Sequence, residues 1–208
     1  MKKLITIVCF FSFSIKAQVI SWNTTTVRSI VKTTSNSPIP VPDIVNFLEN
    51  KELAKYMFNS VNEYRNSIKQ ESFIWEEHYY GTSVKWNNYL SSNSLWGHRN
   101  SNEIYGAGEG SELIVGLTLG GHPKITTDLY KMIADSCVMQ WIHSPPHFAV
   151  LTSPIKTKDK NSAPIDWDGK GSMLNMILVK YGAISININR YKDFTVVQCI
   201  FHLGDEKE

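Results

Sequence analysis

The clearest indication of the fold is a run near the end of the chain, which reads Phe194-Thr195-Val196-Val197-Gln198-Cys199-Ile200-Phe201. Most of these residues are β-branched or aromatic, which is typical of a strand. Side chains alternate between the faces of a strand, and both sets are apolar here: Val197, Cys199 and Phe201 on one face, Val196 and Ile200 on the other. A strand that is apolar on both sides is covered on both sides. The run therefore predicts helix layers above and below a sheet, a three-layer α-β-α sandwich of the α+β class.

The neighbouring segments predict a small antiparallel sheet at the end of the chain and helices before it. Residues 173–179 and 183–188 are β-rich, and residues 191–193 are typical of a hairpin tip. Upstream, apolar residues recur at three- and four-residue steps. This spacing predicts one long helix or two abutting helices over 43–69, and a further helix over 80–93.

The middle of the chain alternates between loops and shorter elements. Glycines make residues 95–111 a predicted loop, and residues 112–119 are predicted to form a short apolar helix or turn. Mixed charge, proline and glycine in residues 152–172 indicate a surface insertion.

A further helix is predicted between the glycine pair at 120–121 and the proline pair at 145–146. Thr126 or Thr127 can cap its start. An apolar stripe then runs to Trp141, and the two prolines after Ser144 are expected to stop the helix.

Residues 1–17 follow the order of a secretory signal. Lys2 and Lys3 precede a mostly apolar segment, and Ala17 supplies the small residue of a cleavage site. The apolar segment is shorter than the roughly 20 residues that a transmembrane helix needs. We therefore expect cleavage near Ala17, a secreted or periplasmic protein, and no transmembrane segment in the mature chain. A buried N-terminal helix is the alternative interpretation.

The predicted cleavage changes the charge of the protein. The 208 residues include 21 basic and 19 acidic ones, a formal net charge of +2. Loss of Lys2, Lys3 and Lys16 leaves 18 basic residues and a net charge of −1. The mild basicity thus belongs to the signal, so nucleic acid is not an expected partner.

Beyond the signal, composition divides the chain into three parts. Residues 18–42 are rich in Ser and Thr, end in alternating prolines, and are predicted to form a lead-in or linker. Residues 43–204 are predicted to form one domain, and residues 205–208 a charged tail.

Two cysteines, Cys137 and Cys199, remain after the predicted cleavage. In an exported protein they can form one bridge. Both also lie in apolar stretches, where a free cysteine packs as a small hydrophobic residue. Sequence does not give the distance between their Cα atoms, so both interpretations stay open.

Histidines and glutamates in three segments are candidates for chemistry. His98 follows a glycine, Glu109 and Glu112 precede an apolar run, and His147 follows two prolines. Each has an ordinary structural explanation, such as a carboxylate stabilised at a helix start for Glu112. His143 and His147 are four residues apart, but the prolines between them argue against one helix face that carries both.

The order of these segments is more informative than any one of them. It runs Asn62-Glu63-Tyr64-Arg65, His98, a glycine-flanked glutamate, Trp141-x-x-Ser144-x-x-His147, Tyr181-Gly182-Ala183 and Val197-Gln198-Cys199-Ile200-Phe201. This order resembles the CAP superfamily (cysteine-rich secretory proteins, antigen 5 and pathogenesis-related 1), in its bacterial SCP-like branch. The resemblance covers roughly residues 50–203, and its tryptophan-serine-histidine segment is the most specific part.

The resemblance implies an α-β-α sandwich with a cleft where histidines and glutamates converge. It makes His98 and His147 the cleft histidines and Glu112 the cleft glutamate, with Glu109 as the alternative in a second register. In neither register does the family's asparagine follow the glutamate, and the family's second acid has no clear match. The residues that we interpret as structural are Asn62, Arg65, Trp141, Ser144 and Gln198.

These residues allow more than one function. Two neutral imidazoles and a carboxylate can bind Zn²⁺ with one position open, or form a hydrogen-bond cluster that holds the loops in place. Without the second acid, an acid/base pair for hydrolysis is incomplete. The sequence thus favours an exported binding protein for a lipid-like small molecule, an envelope polymer or a partner protein. The alternatives are a metal-assisted hydrolase that uses His98, Glu112 and His147, and a structural envelope component.

Overall fold

The computed structural model describes residues 38–99, 109–152, 165–166, 173–174 and 180–204. The predicted signal, residues 18–37 of the lead-in, most of the predicted insertion and the tail 205–208 lie outside these residues. Residues 175–179 of the first predicted sheet segment also lie outside them.

The described residues form an α+β protein, which confirms the predicted fold class. None of their helices is both long and apolar enough to cross a membrane. In chain order the elements are β1 (Ile39–Pro40), β2 (Asn46–Glu49), α1 (Lys51–Ser67), β3 (Ile74–Trp75), α2 (Glu77–Ser92), β4 (Leu95–Trp96), β5 (Glu109–Gly120), α3 (Thr127–Ile142), α4 (Pro145–Thr152), β6 (Ile165–Asp166), β7 (Met173–Leu174), β8 (Tyr181–Arg190) and β9 (Phe194–Gly204).

A five-stranded sheet forms the centre of the fold. Its order is β2-β8-β9-β5 with antiparallel neighbours, and β3 adds to β8 in parallel. β8 and β9 form the predicted hairpin, in which the Tyr191 N–H donates to the Phe194 carbonyl at 2.9 Å. Two separate pairs, β1 with β4 and β6 with β7, complete the strands of the described residues.

Helices cover both faces of the sheet, as the pattern of β9 predicts. α1 and α3 pack on one face, and α2 packs on the other. The first face carries Val197, Cys199 and Phe201, whereas Ile114 and Ile200 pack against Leu90 of α2. The molecule therefore has three layers.

Buried polar side chains fix α2 against its face of the sheet. The Ser91 hydroxyl donates to Asn189 Oδ1 at 2.8 Å, and Asn187 Nδ2 donates to Ser91 Oγ at 3.0 Å. All three residues are buried, where a polar group needs a partner. These bonds hold α2 in one register on the sheet, and this register sets the position of Thr82 near the candidate site.

The first long helix begins later than the sequence predicts. Residues 46–49 are β2, which pairs with β8, and the expectation of a helix from residue 43 is wrong. The helix starts at Lys51 because Asn50 is its N-cap, whose Oδ1 accepts the Leu53 N–H at 2.9 Å. The second helix, predicted over 80–93, is confirmed as Glu77–Ser92.

The expectation of a short helix or turn over residues 112–119 is also wrong. These residues belong to β5, where Ile114 lies opposite Ile200 and Val115 lies opposite Cys199. As a result, the Glu112 carboxylate lies on a sheet face rather than at a helix N-terminus. Helix and strand compete for short apolar runs, and pairing with β9 decides here.

α3 starts after Thr126 and ends at Ile142, as the proline pair predicts. A separate helix, α4, begins at Pro145, and the sequence did not predict this helix. Proline suits the first turn of a helix because its missing N–H would have no partner there. Consequently His143 and His147 lie on different elements.

Candidate functional site

The candidate residues come from four elements that meet beside the sheet. His98 and Arg99 follow β4, Glu112 lies in β5, His202 in β9, and His147 in the first turn of α4. Glu112 lies directly opposite His202 in the β5–β9 register. Residues opposite each other in an antiparallel pair share a face of the sheet, so these two side chains meet.

Gly97 sets the path of the chain into the site. Its φ of +147° is one that side-chain-bearing residues rarely adopt. A Cβ at this position would lie 3.1 Å from Pro38 Cα, so the backbone of the lead-in also closes off the space. Glycine is therefore required just before His98.

The Glu112 carboxylate is the centre of the cluster and accepts four hydrogen bonds. Oε2 accepts from His202 Nε2 at 2.7 Å and from Arg99 Nε at 3.3 Å. Oε1 accepts from His98 Nδ1 at 2.9 Å and from the Arg99 backbone N–H at 3.1 Å. Both oxygens are thus occupied by donors of the protein itself.

The same network fixes the tautomer of His202. Arg99 Nη2 lies 3.3 Å from His202 Nδ1, and a guanidinium can only donate. Nδ1 is therefore an acceptor, and the ring hydrogen is on Nε2, where it faces Glu112. Thr82 Oγ1 lies 2.9 Å from the same Nδ1 and supports the ring from α2.

Burial and hydrogen bonding act in opposite directions on the pKa of Glu112. The side chain is 1% exposed, and burial alone would raise the pKa. The hydrogen bonds from His202 and His98 outweigh burial and hold the pKa well below its usual value of 4.5. Glu112 is therefore a stable anion that does not take up a proton near neutral pH.

The two sequence-predicted histidines lie side by side, with ring centroids 6.2 Å apart. The His98 side chain is 51% exposed, whereas His147 is partly buried. Burial, together with the charge of His98, lowers the pKa of His147 from 6.5 to about 4. His147 is hence an uncharged imidazole at neutral pH, next to a histidine that solvent and ligands can reach.

The predicted zinc ligands lie in an arrangement where the protein itself already supplies hydrogen-bond donors to Glu112. Among the described residues, no group of three or more His, Cys, Asp or Glu side chains is placed to hold one. Glu112 directs both oxygens to Arg99, His98 and His202, which leaves it no direction for a metal bond. The zinc site stays a prediction from the sequence, and so does the alternative glutamate, Glu109, whose side chain lies outside the described residues.

Asn62 and Arg65 bond to backbone, in agreement with a structural role. The Asn62 side chain accepts the Phe73 N–H at 2.8 Å through Oδ1 and donates from Nδ2 to the Phe73 carbonyl at 3.0 Å. Arg65 is fully buried and donates to the carbonyls of Glu71 at 2.6 Å and Leu151 at 2.5 Å. Burial lowers the pKa of Arg65 to about 10, which leaves it charged. Arg65 thereby anchors α4, the helix that carries His147, to α1.

The remaining motif residues also lie within the scaffold. Trp141 is fully buried and packs on Phe201 with ring centroids 6.0 Å apart. The Ser144 carbonyl accepts the Phe148 N–H at 2.8 Å, at the start of α4. Gln198 is buried and accepts from Asn189 Nδ2 at 2.7 Å.

Sequence reasoning missed Arg99 and His202, which supply three of the four donors to Glu112. The available signal was a polar residue in an apolar strand, since His202 directly follows Ile200-Phe201 and precedes Leu203. A buried polar residue in such a run needs a partner, and only the β5–β9 register identifies that partner as Glu112.

Comparison with known proteins shows a likeness to solved structures. No family model and no curated protein matches the chain. Among solved structures, it is similar to an outer surface protein from Borrelia burgdorferi, with 11% sequence identity and a TM-score of 0.44. The likeness covers 77% of this chain and 98% of that one. Membership of the CAP superfamily remains a prediction from the sequence.

Proposed function

We propose that the chain is an exported, CAP-like protein that binds a ligand at the cleft of His98, Glu112 and His147 without transforming it. The observation that carries this proposal is the Glu112 carboxylate, which is 1% exposed and has both oxygens occupied by protein donors. A carboxylate in that state organises a site and does not take part in proton transfer.

General base catalysis needs a group that can accept a proton within hydrogen-bond reach of the substrate. Glu112 lacks both properties, because its pKa is held below the usual range and its oxygens already face Arg99, His98 and His202. The sequence offers no clear second acid. These facts favour binding over hydrolysis.

His98 and His147 are the groups we assign to ligand contact. His98 donates its Nδ1 hydrogen to Glu112, so Nε2 is the ring position directed away from that bond. Half of the His98 side chain is exposed, and His147 adds a second ring beside it. Glu112, Arg99 and His202 form the rigid floor that orients His98.

The charge of the site favours an envelope polymer with uncharged polar groups, such as a glycan, over the lipid-like and protein ligands. Arg99 and Glu112 are in direct contact and compensate each other. His147 is uncharged at neutral pH. Imidazole rings with no strong net charge around them suit hydroxyl and amide groups, which donate and accept hydrogen bonds.

Co-sedimentation with insoluble cell-wall glycan tests this proposal, with flotation on zwitterionic lipid vesicles in parallel. We expect the wild-type protein to sediment with the glycan and to release no soluble fragments. His98→Ala should weaken binding about fivefold, since a lost hydrogen bond is worth about 1 kcal/mol. His122→Ala is the matched control, because His122 is exposed and contacts Lys192 and Thr195 at the hairpin end of β9.

Other outcomes identify the competing functions. Release of glycan fragments that His98→Ala abolishes, together with a tightly bound zinc ion after mild purification, would establish the metal-assisted hydrolase. Binding to vesicles alone would move the ligand to the lipid-like class. Normal behaviour of the double variant His98→Ala/His147→Ala in every assay would favour a structural envelope component.

A further inference from the structure

We propose that Cys137 and Cys199 are oxidised to a disulfide while the chain folds, which ties α3 to the central strand β9. Their Sγ atoms lie 3.8 Å apart in the structure. The structure holds both as free, buried thiols, and a disulfide would bring the two atoms about 1.8 Å closer, to about 2.05 Å. The two thiols are in direct contact, so the bond would link residues that the fold already brings together.

The position of the pair makes the bond structural. Cys137 lies on the face of α3 that packs on the sheet, and Cys199 lies in β9 between Val115 of β5 and Ile186 of β8. Both cysteines are fully buried, and 62 positions separate them in the sequence. A bond between them closes a long loop and therefore restricts the unfolded chain strongly.

Only one pairing is available once residues 1–17 are removed. The chain contains three cysteines, and Cys9 lies within the predicted signal. Cys137 and Cys199 therefore have no competing intramolecular partner in the mature protein. Bridges of this kind form in oxidising compartments, so in the cell the pairing rests on the proposed export.

The reaction is a thiol–disulfide exchange with a disulfide-bearing oxidant, such as a thiol–disulfide oxidoreductase. One cysteine, as thiolate, attacks a sulfur of the oxidant to give a mixed disulfide and releases the first oxidant thiolate. The second cysteine thiolate attacks the protein sulfur of that mixed disulfide and releases the second oxidant thiolate. The protein loses two protons and two electrons, and the oxidant becomes a dithiol.

Because both thiols are buried in the folded protein, the reaction takes place during folding, before the core has closed. Burial raises the pKa of the Cys199 thiol well above its usual value, with a further contribution from Cys137. The folded protein therefore offers neither a thiolate nor a path for the oxidant. The same burial protects the finished disulfide, so reductants should act on it only after the protein unfolds.

The experiment compares the mature chain, without residues 1–17, recovered from an exporting host with the same mature chain after reduction, denaturation and refolding in a glutathione redox buffer. Each sample is denatured, treated with a thiol-alkylating reagent and weighed by intact mass spectrometry. We expect no alkylation at Cys137 or Cys199 and a mass lower by two hydrogen atoms than that of the reduced chain. The variants Cys137→Ala and Cys199→Ala should each leave one alkylated thiol.

The two arms separate the pairing from the proposed export. A refolded chain that regains its circular dichroism spectrum but keeps both thiols would overturn the pairing. A disulfide in the refolded chain with two thiols in the host-derived chain would support the pairing and count against export. The mass readout does not require either cysteine variant to fold.

Discussion

Glu112 shows at the level of a single residue how the site is stabilised. A buried carboxylate is costly unless hydrogen bonds and a counter-charge compensate for lost water. Here Arg99 supplies the counter-charge, and His98 and His202 supply further donors. Because all three depend on the same anion, they form one unit, and removal of the anion should disturb all of them.

Substitution of Glu112 tests this unit. Glu112→Gln should lower the free energy of unfolding by about 3–5 kcal/mol, because it removes the counter-charge of the largely buried Arg99 guanidinium. Urea denaturation followed by circular dichroism measures the change. The control Glu77→Gln breaks an exposed ion pair with Lys51 and should cost less than about 1 kcal/mol. Equal effects of the two substitutions would show that the cluster contributes no more than a surface pair.

The stability of the protein should fall as the pH is lowered from 6.5 towards 4. Burial lowers the pKa of His202 to about 4, although its bond to Glu112 opposes this. Between these pH values, the unfolded chain binds a proton that the folded chain excludes, which favours unfolding by up to about 1.4 kcal/mol per pH unit. His147 acts in the same direction, and the lowered pKa of Glu112 extends the loss below pH 4.5.

Urea denaturation at several pH values measures this dependence. His202→Gln removes one of the two histidines whose pKa is lowered and should give a shallower slope than the wild-type protein. His122→Gln changes an exposed histidine and should leave the slope unaltered. A wild-type stability that does not vary between pH 4 and 6.5 would contradict the uncharged state of His202 and His147.

The sequence predicted part of the cluster around Glu112, because motif order carries information that single residues lack. His98, Glu112 and His147 were predicted, and the structure places them within one cluster. Arg99 and His202 were not predicted, because their roles depend on which strands pair and in which register. A histidine in an apolar strand has many potential partners until that register is known.

At the scale of elements, the periodicity of apolar residues was sufficient to predict the long helices but not to assign the secondary structure of short apolar runs. α2 and α3 carry the three- and four-residue spacing of a buried helix face and were predicted. Residues 112–119 of β5 were predicted as a helix or turn because the run Leu113, Ile114 and Val115 is buried on both faces and therefore lacks strict alternation. α4 was missed because proline was interpreted only as the end of a helix.

Gly97 connects an element boundary to the site. Gly97→Ala should cost about 1–3 kcal/mol, because it forces a side chain into a positive φ and against Pro38. It should also move His98, which nuclear magnetic resonance can detect as changed His98 ring shifts. The control Gly81→Ala lies in α2 with open space around it and should stabilise the protein by about 0.5–1 kcal/mol. Unchanged stability and ring shifts in Gly97→Ala would refute the proposed constraint.

Arg65 holds α4 in position, as Gly97 does for the segment that carries His98. Arg65→Lys should lower the free energy of unfolding by about 1–3 kcal/mol, because lysine cannot donate to the carbonyls of both Glu71 and Leu151 with the same geometry. The His147 ring shifts should change with it. Arg190→Lys is the control at an exposed position, where we expect a change within about 0.5 kcal/mol. An Arg65→Lys protein with wild-type stability would show that α4 is held by other contacts.

For the whole molecule, one face of the sheet is apolar and the other mixes apolar with buried polar side chains, and the site belongs to the mixed face. α1 and α3 cover an apolar core, whereas α2 packs over buried Ser, Asn and Gln side chains. The sequence predicted the layers from the apolar residues of β9. It did not predict the polar interior beneath α2, because the asparagines of β8 meet their partners on α2 and β9 only in the folded protein.

The proposed binding site requires Glu112 to be a permanent, fully hydrogen-bonded anion. Carbon-13 nuclear magnetic resonance of its side-chain carboxyl, followed as the pH is lowered from 7, measures this state directly. We predict no titration of the Glu112 signal between pH 7 and 4. A Glu112 carboxyl that titrates at or above its ordinary pKa of 4.5 would contradict the account and return this residue to the candidates for general base catalysis.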